Sequence, residues 1–118
     1  MKRILICDDS PIILAAVRGA LADAGYDVTT RSGIDDLAAN PVDGFDLILM
    51  DVEMPELFGD DVASILRLER GVKTPIYLFS SLDDAQLAEL AKTAKVDGFI
   101  SKQAGIPNLV ERVRAILS

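Results

Sequence analysis

The sequence predicts an α/β domain built on a parallel sheet, and three observations carry that prediction. Short apolar runs alternate with segments of helical periodicity, the pattern of repeated βα units. One run, Leu47-Ile48-Leu49-Met50, is apolar without interruption, as expected of a strand covered on both faces. Four runs stop at chemistry-bearing residues: Arg3 to Cys7 at Asp8-Asp9, Leu47 to Met50 at Asp51, Ile76 to Phe79 at Ser80, and Gly98 to Ser101 at Lys102. If these runs are parallel strands, three carboxylates, a hydroxyl and an ammonium gather at one edge of one sheet, where open α/β sheets bind ligands.

The elements follow in order. The first strand is Arg3 to Cys7. Ile13, Val17, Ala20, Leu21 and Ala24 then line one face of a helix. Ser10 before Pro11 is its N-cap, with proline in the first turn, and Gly25 closes it. Asp27 to Arg31 is a short second strand. Ile34 to Asn40 reads as a short helix ended by Pro41. Leu47 to Met50 is the third strand, Met54 to Gly59 a loop, and Asp60 to Arg70 a helix with Val62, Ile65 and Leu66 inward. Pro75 opens the fourth strand, Ile76 to Phe79. Asp83 to Lys95 is helical, with Leu87, Leu90, Ala91 and Ala94 on one face. Asp97-Gly98 turns into the fifth strand, Gly98 to Ser101. Pro107 starts a last helix marked by Leu109, Val110, Val113, Ile116 and Leu117. These make one domain, 1–118, of five βα units with right-handed crossovers and no linker or repeat. Any effector domain is expected to lie elsewhere.

Composition excludes several classes. Half of the 118 residues are hydrophobic, which supports a core and argues against disorder. The net charge is -7 and the basic residues form no dense cluster, so direct nucleic-acid binding by this domain is not expected. No apolar stretch approaches the ~20 residues of a membrane span, and the first apolar run is too short for a signal peptide. A cytoplasmic location without membrane insertion is expected. Cys7, alone and inside a strand, reads as a buried thiol. The absence of histidine removes the commonest general base and zinc ligand.

The acidic cluster suits a hard cation and a phosphoryl group. Adjacent Asp8 and Asp9 repel, and desolvation adds to the cost. Mg2+ offsets both, since it takes one or two carboxylates together with waters and phosphate oxygens. Asp51 can add a carboxylate, and can itself attack phosphorus to form an aspartyl-phosphate. Lys102 could pair with one phosphoryl oxygen and Ser80 could donate to another, in a reaction that asks mainly for positioning and charge stabilisation.

Over nearly its whole length the chain resembles the receiver domain of bacterial two-component response regulators. The resemblance rests on Asp8-Asp9, Asp51-Val52-Glu53-Met54-Pro55 with Gly59, Ser80-Ser81, Gly98-Phe99 and Lys102. It implies the flavodoxin-like (βα)5 doubly wound sheet in the order 2-1-3-4-5. It implies Asp51 as phosphoacceptor for a histidine kinase or histidine phosphotransfer protein. Asp8, Asp9, Asp51 and the backbone carbonyl of Glu53 are then the Mg2+ ligands, Ser80 the switch hydroxyl and Phe99 the switch aromatic. Phosphorylation would alter the face formed by the fourth helix, fifth strand and last helix, and so control a downstream protein effector. The resemblance implies a signalling module that catalyses only its own phosphorylation and dephosphorylation, working as a monomer or weak dimer.

Two departures stand out. Members of that family usually carry a proline, joined by a cis peptide, where this chain has Gln103. A cis bond before a non-proline residue costs about 2.5–4 kcal/mol, so a trans Lys102-Gln103 bond and a displaced loop through Ala104 and Gly105 are expected. Phe58 replaces the usual acid before Gly59, as a partner contact or folded back on its loop. At the rim, Glu53 and Leu82 could tune water access, with apolar Leu82 expected to prolong the phosphorylated state. Two other readings compete: a receiver fold serving as a scaffold that is never phosphorylated, and a Mg2+-dependent phosphohydrolase with Asp51 as nucleophile. The second rests on Asp51-Val52-Glu53 at a strand end, which faintly resembles haloacid-dehalogenase phosphatases; those need a second catalytic acid two residues after the nucleophile, and usually a cap and a longer chain.

Overall fold

Parallel pairing joins all five strands, in the order β2-β1-β3-β4-β5. The structure is a computed structural model that describes residues 1–32, 44–52 and 73–118. The strands are β1 (Arg3–Cys7), β2 (Asp27–Arg31), β3 (Leu47–Met50), β4 (Ile76–Ser80) and β5 (Gly98–Ser101). The described helices are α1 (Pro11–Asp23), α2 (Asp84–Ala94) and α3 (Gly105–Leu117), the last preceded by a 3-10 turn, Lys102–Ala104. This is the flavodoxin-like order expected from the sequence. The helices predicted at Ile34 to Asn40 and Asp60 to Arg70, and the loop Met54 to Gly59, lie outside the described residues.

Side chains alternate across the sheet, so each strand feeds two cores. Leu5, Cys7, Ile48, Met50, Ile76 and Leu78 join Leu87, Ala91 and Ala94 of α2 on one face. Ile4, Ile6, Leu47, Leu49, Phe79 and Ile100 join Val17 and Leu21 of α1 and Leu109 and Val113 of α3 on the other. Every residue of β3 is fully buried, which explains its unbroken apolar sequence.

Local signals set the helix ends. The Ser10 hydroxyl accepts the Ile13 N–H at 3.3 Å, the cap predicted from its place before Pro11. At the far end Gly25 has φ +98°, and Tyr26 N–H returns to the Leu21 carbonyl at 3.1 Å. A full capping box opens α2: an Asp83 carboxylate oxygen accepts the Gln86 N–H at 2.8 Å, and the Gln86 side chain accepts the Asp83 N–H at 3.4 Å. Asp83→Ala is expected to cost about 1 kcal/mol of stability, read as a lower urea midpoint at unchanged slope.

The boundary furthest from the prediction is the start of the last helix. It lies at Gly105, two residues before Pro107. Pro107 still falls within the first turn, where a missing N–H costs nothing because those donors have no intrahelical acceptor. Gly105, at φ +88°, supplies the change of direction between the 3-10 turn and α3. No cis peptide occurs among the described residues, so the Lys102-Gln103 bond is trans, as the absence of proline requires. The segment through Ala104 and Gly105 is a hydrogen-bonded 3-10 turn running directly into the helix.

Candidate phosphoryl and cation site

Strand register and side-chain alternation build the site together. Cys7 pairs with Met50, so Asp8 and Asp51 leave adjacent strands at the same level. Phe79 pairs with Ile100 on the next two strands. Counting by twos from Ile6, Leu49 and Ile100, all in the α1–α3 core, leads to Asp8, Asp51 and Lys102. The alternation thus aims all three toward the same side of the sheet, at its carboxyl edge.

There the Lys102 ammonium meets both acids. Lys102 Nζ donates to Asp8 Oδ2 at 2.6 Å and lies 3.6 Å from Asp51 Oδ1. Asp8 and Asp51 are nearly inaccessible, at 1% and 3%. The remaining Asp8 oxygen, Oδ1, accepts the Ser10 N–H at 3.0 Å. Lys102 Nζ also sits 5.2 Å from the centroid of the buried Phe79 ring, which adds a cation–π contact. These bonds fix the ammonium and Asp8 before any ligand arrives.

The carboxylates fit a hard cation. One oxygen from each of Asp8, Asp9 and Asp51 lies within 4.8 Å of the others, with Asp9 exposed. Oxygen ligands on opposite sides of an octahedral Mg2+ stand about 4.2 Å apart, so small side-chain adjustments bring three such oxygens onto one ion. Asp8, Asp9, Asp51 and Lys102 sum to a formal charge of -2, which a divalent cation neutralises.

The other predicted residues sit around this centre differently. Ser80 is fully buried at the end of β4, and its hydroxyl accepts the Leu82 N–H at 3.3 Å. Phe99 is half-buried and packs with Leu82 and Leu90 against the core beneath α2, the opposite side of the sheet from Lys102. Its carbonyl accepts a bond from Arg112 Nη2 of α3 at 3.2 Å. Leu82 belongs to that same apolar layer. Glu53 and Phe58 lie outside the described residues.

Sequence reasoning overlooked three participants. Ser10 N–H anchors Asp8, and the Asp8-Asp9-Ser10 spacing is the signal of such a turn. Phe79 supports Lys102 from beneath. Gln103 bonds across to the loop after Ser80, with Nε2 donating to the Ser81 carbonyl at 2.6 Å, and nothing in the linear sequence announces it.

A family model described as "Response regulator receiver domain" matches residues 4–114. The chain is 31% identical over 115 residues to the probable transcriptional regulatory protein TcrX of Mycobacterium tuberculosis, covering 97% of this chain and 49% of TcrX. It thus spans about half the length of the first curated relatives it matches. The chemotaxis response regulator CheY4 of Vibrio cholerae superposes with TM-score 0.87 at 28% identity, over 99% of each chain. The response regulator TrrA of Thermotoga maritima, crystallised in complex with Mg2+-BeF, superposes with TM-score 0.84 at 29% identity, over 99% of this chain and 100% of TrrA.

Proposed function

The chain belongs to the response regulator receiver family, and from that premise we propose that Asp51 is its phosphoacceptor, within a signalling module rather than a metabolic enzyme. The observation that carries this reading is the convergence of Asp8, Asp9 and Asp51 on one point, with the Lys102 ammonium against two of them. Asp8, Asp9 and Asp51 would hold Mg2+, with the Glu53 carbonyl as the further ligand drawn from the sequence. When bound, Mg2+ supplies charge neutralisation for the incoming phosphoryl oxygens.

The chain's own groups do the rest. A carboxylate oxygen of Asp51 attacks phosphorus of a phosphohistidine. The P–N bond breaks, its electron pair stays on the imidazole nitrogen, and that nitrogen takes up a proton. Lys102, already seated between Asp8 and Asp51, pairs with a phosphoryl oxygen without moving a proton. Ser80 gives up the Leu82 N–H and turns its hydroxyl to a second oxygen. That exchange loosens the start of α2, and Phe99, in the same apolar layer as Leu82, repacks with it. The face of α2, β5 and α3 then has two packings, one favoured by the phosphoryl group, which is the requirement for a switch.

The donor is a histidine kinase or histidine phosphotransfer protein, and the output is a protein effector in the cytoplasm. Among the described residues no helix is long and apolar enough to cross a membrane. The domain catalyses only its own phosphorylation and dephosphorylation.

The test is intact-mass spectrometry after incubation with phosphoramidate or acetyl phosphate and Mg2+. A gain of one phosphoryl group that requires Mg2+ is the expected result. A native chain that stays unmodified at saturating donor and Mg2+ would overturn the proposal and favour the scaffold reading.

A further inference from the structure

Gln103 ties together the two turns that carry Lys102 and Ser80. Its side-chain Nε2 donates to the Ser81 carbonyl at 2.6 Å, a bond spanning 22 residues of sequence. Its own N–H donates to the Ser101 hydroxyl at 3.1 Å, which fixes the backbone from which the side chain reaches. Lys102, the neighbour on one side of this bond, holds Asp8 and Asp51. Ser80, the neighbour on the other, holds the Leu82 N–H. The strands beneath pair Ser80 with Ser101, so the tether extends the sheet contact one step past its last rung, where no backbone ladder continues it. Proline at this position would lack the N–H that Ser101 accepts and the amide that Ser81 accepts. The trans peptide and the glutamine are therefore one arrangement, not a gap in another.

We infer that Gln103 is a positioning residue for phosphoryl acceptance: its side-chain amide bonds the Ser81 carbonyl and so sets the spacing of Lys102 and Ser80 over Asp51. Its bonds run to Ser81 and Ser101, so it acts through Lys102 and Ser80, the residues beside them. The inference rests on the phosphoacceptor reading above. Gln103 is exposed, so water competes for the same carbonyl, and the bond's effect stands at the scale of one neutral hydrogen bond.

Gln103→Glu keeps the size and shape of the side chain and replaces the donor by an acceptor facing a carbonyl. Gln103→Arg keeps an N–H donor of sufficient reach. Amide hydrogen exchange of the native domain, without donor or Mg2+, is expected to quicken about 3- to 10-fold at Leu82 in Gln103→Glu and to stay near native in Gln103→Arg. Phosphorylation by phosphoramidate is expected to slow by a similar factor in Gln103→Glu at saturating donor, with Mg2+ affinity by calorimetry unchanged, and to recover in Gln103→Arg. A merely structural role would lower the melting temperature and leave the saturating rate alone. Unchanged exchange at Leu82 in Gln103→Glu would overturn the tether whatever the chemistry does. Changed exchange with an unchanged saturating rate would overturn the positioning role. A native domain that takes up no phosphoryl group would overturn the phosphoacceptor reading and this role with it, while the exchange result still reports on the bond.

Discussion

Asp51→Asn is expected to abolish phosphoryl uptake and, in Mg2+-free buffer, to raise the stability of the domain. The loss of uptake follows from chemistry: the amide oxygen is no nucleophile toward phosphorus under these conditions, and the variant should show no added mass where the native chain shows one phosphoryl group. The gain in stability follows from the charge balance. Asp51 lies within 4.8 Å of Asp8 and Asp9 and 3.6 Å from the Lys102 ammonium. At an effective dielectric of about 20, each repulsion amounts to roughly 3.5 kcal/mol and the attraction to roughly 4.6 kcal/mol. Two repulsions exceed one attraction, and the cost of burying the Asp51 carboxylate adds to them. Because Asp9 is exposed and its share screened, a net gain of about 1–2 kcal/mol is expected, read as a melting temperature higher by roughly 3–8 °C. Mg2+ should close most of that gap, since binding at ten times its Kd stabilises the native protein by about 1.4 kcal/mol and Asp51→Asn weakens that binding. A variant less stable than native in the absence of metal would show that Asp51 is a structural acid and not one held at a cost for function.

Lys102→Met is expected to act with the opposite sign. The side chain keeps its length and apolar stem but removes the cation bonded to Asp8 Oδ2 and close to Asp51 Oδ1. Both carboxylates are almost wholly buried, and stripping the cation from a buried ion pair costs roughly 3–5 kcal/mol. Chemical denaturation without metal should show that loss, and millimolar Mg2+ should restore much of it because the ion replaces the missing positive charge. Phosphorylation should remain slow even with Mg2+, by about 100-fold, since one phosphoryl oxygen no longer has its counter-charge. Stability indifferent to Mg2+ in Lys102→Met would contradict a shared cation site. A native rate of phosphoryl uptake would remove Lys102 from the chemistry.

These two variants separate the roles of a nucleophile and a counter-charge that the sequence places only by strand ends. Asp8, Asp51 and Lys102 were legible because each directly follows a strand-like run. The caps at Ser10 and Asp83 were legible because capping is a contact between residues three apart. The start of α3 was not, since proline is accepted anywhere in a first turn and the glycine at Gly105 carried the real boundary. The hydroxyl of Ser80 shows a different limit. A sequence reading assigns it to the phosphoryl group, while in the structure it serves Leu82 N–H two residues away. Both bonds suit the residue, and the structure holds the local one.

The sequence by itself determined the succession of the described strands and helices along the chain, the two-sided burial of β3 and the identity of the residues at the sheet's carboxyl edge, because periodicity and local capping act over a few residues. Only the tertiary structure decided which carboxylate oxygen the Lys102 ammonium rests on, that Phe99 lies on the opposite side of the sheet from it, and that Gln103 reaches the loop after β4. Those contacts join residues 22 to 94 positions apart. Their distances depend on how strands stack in register, a property of the assembled sheet that no short stretch of chain encodes.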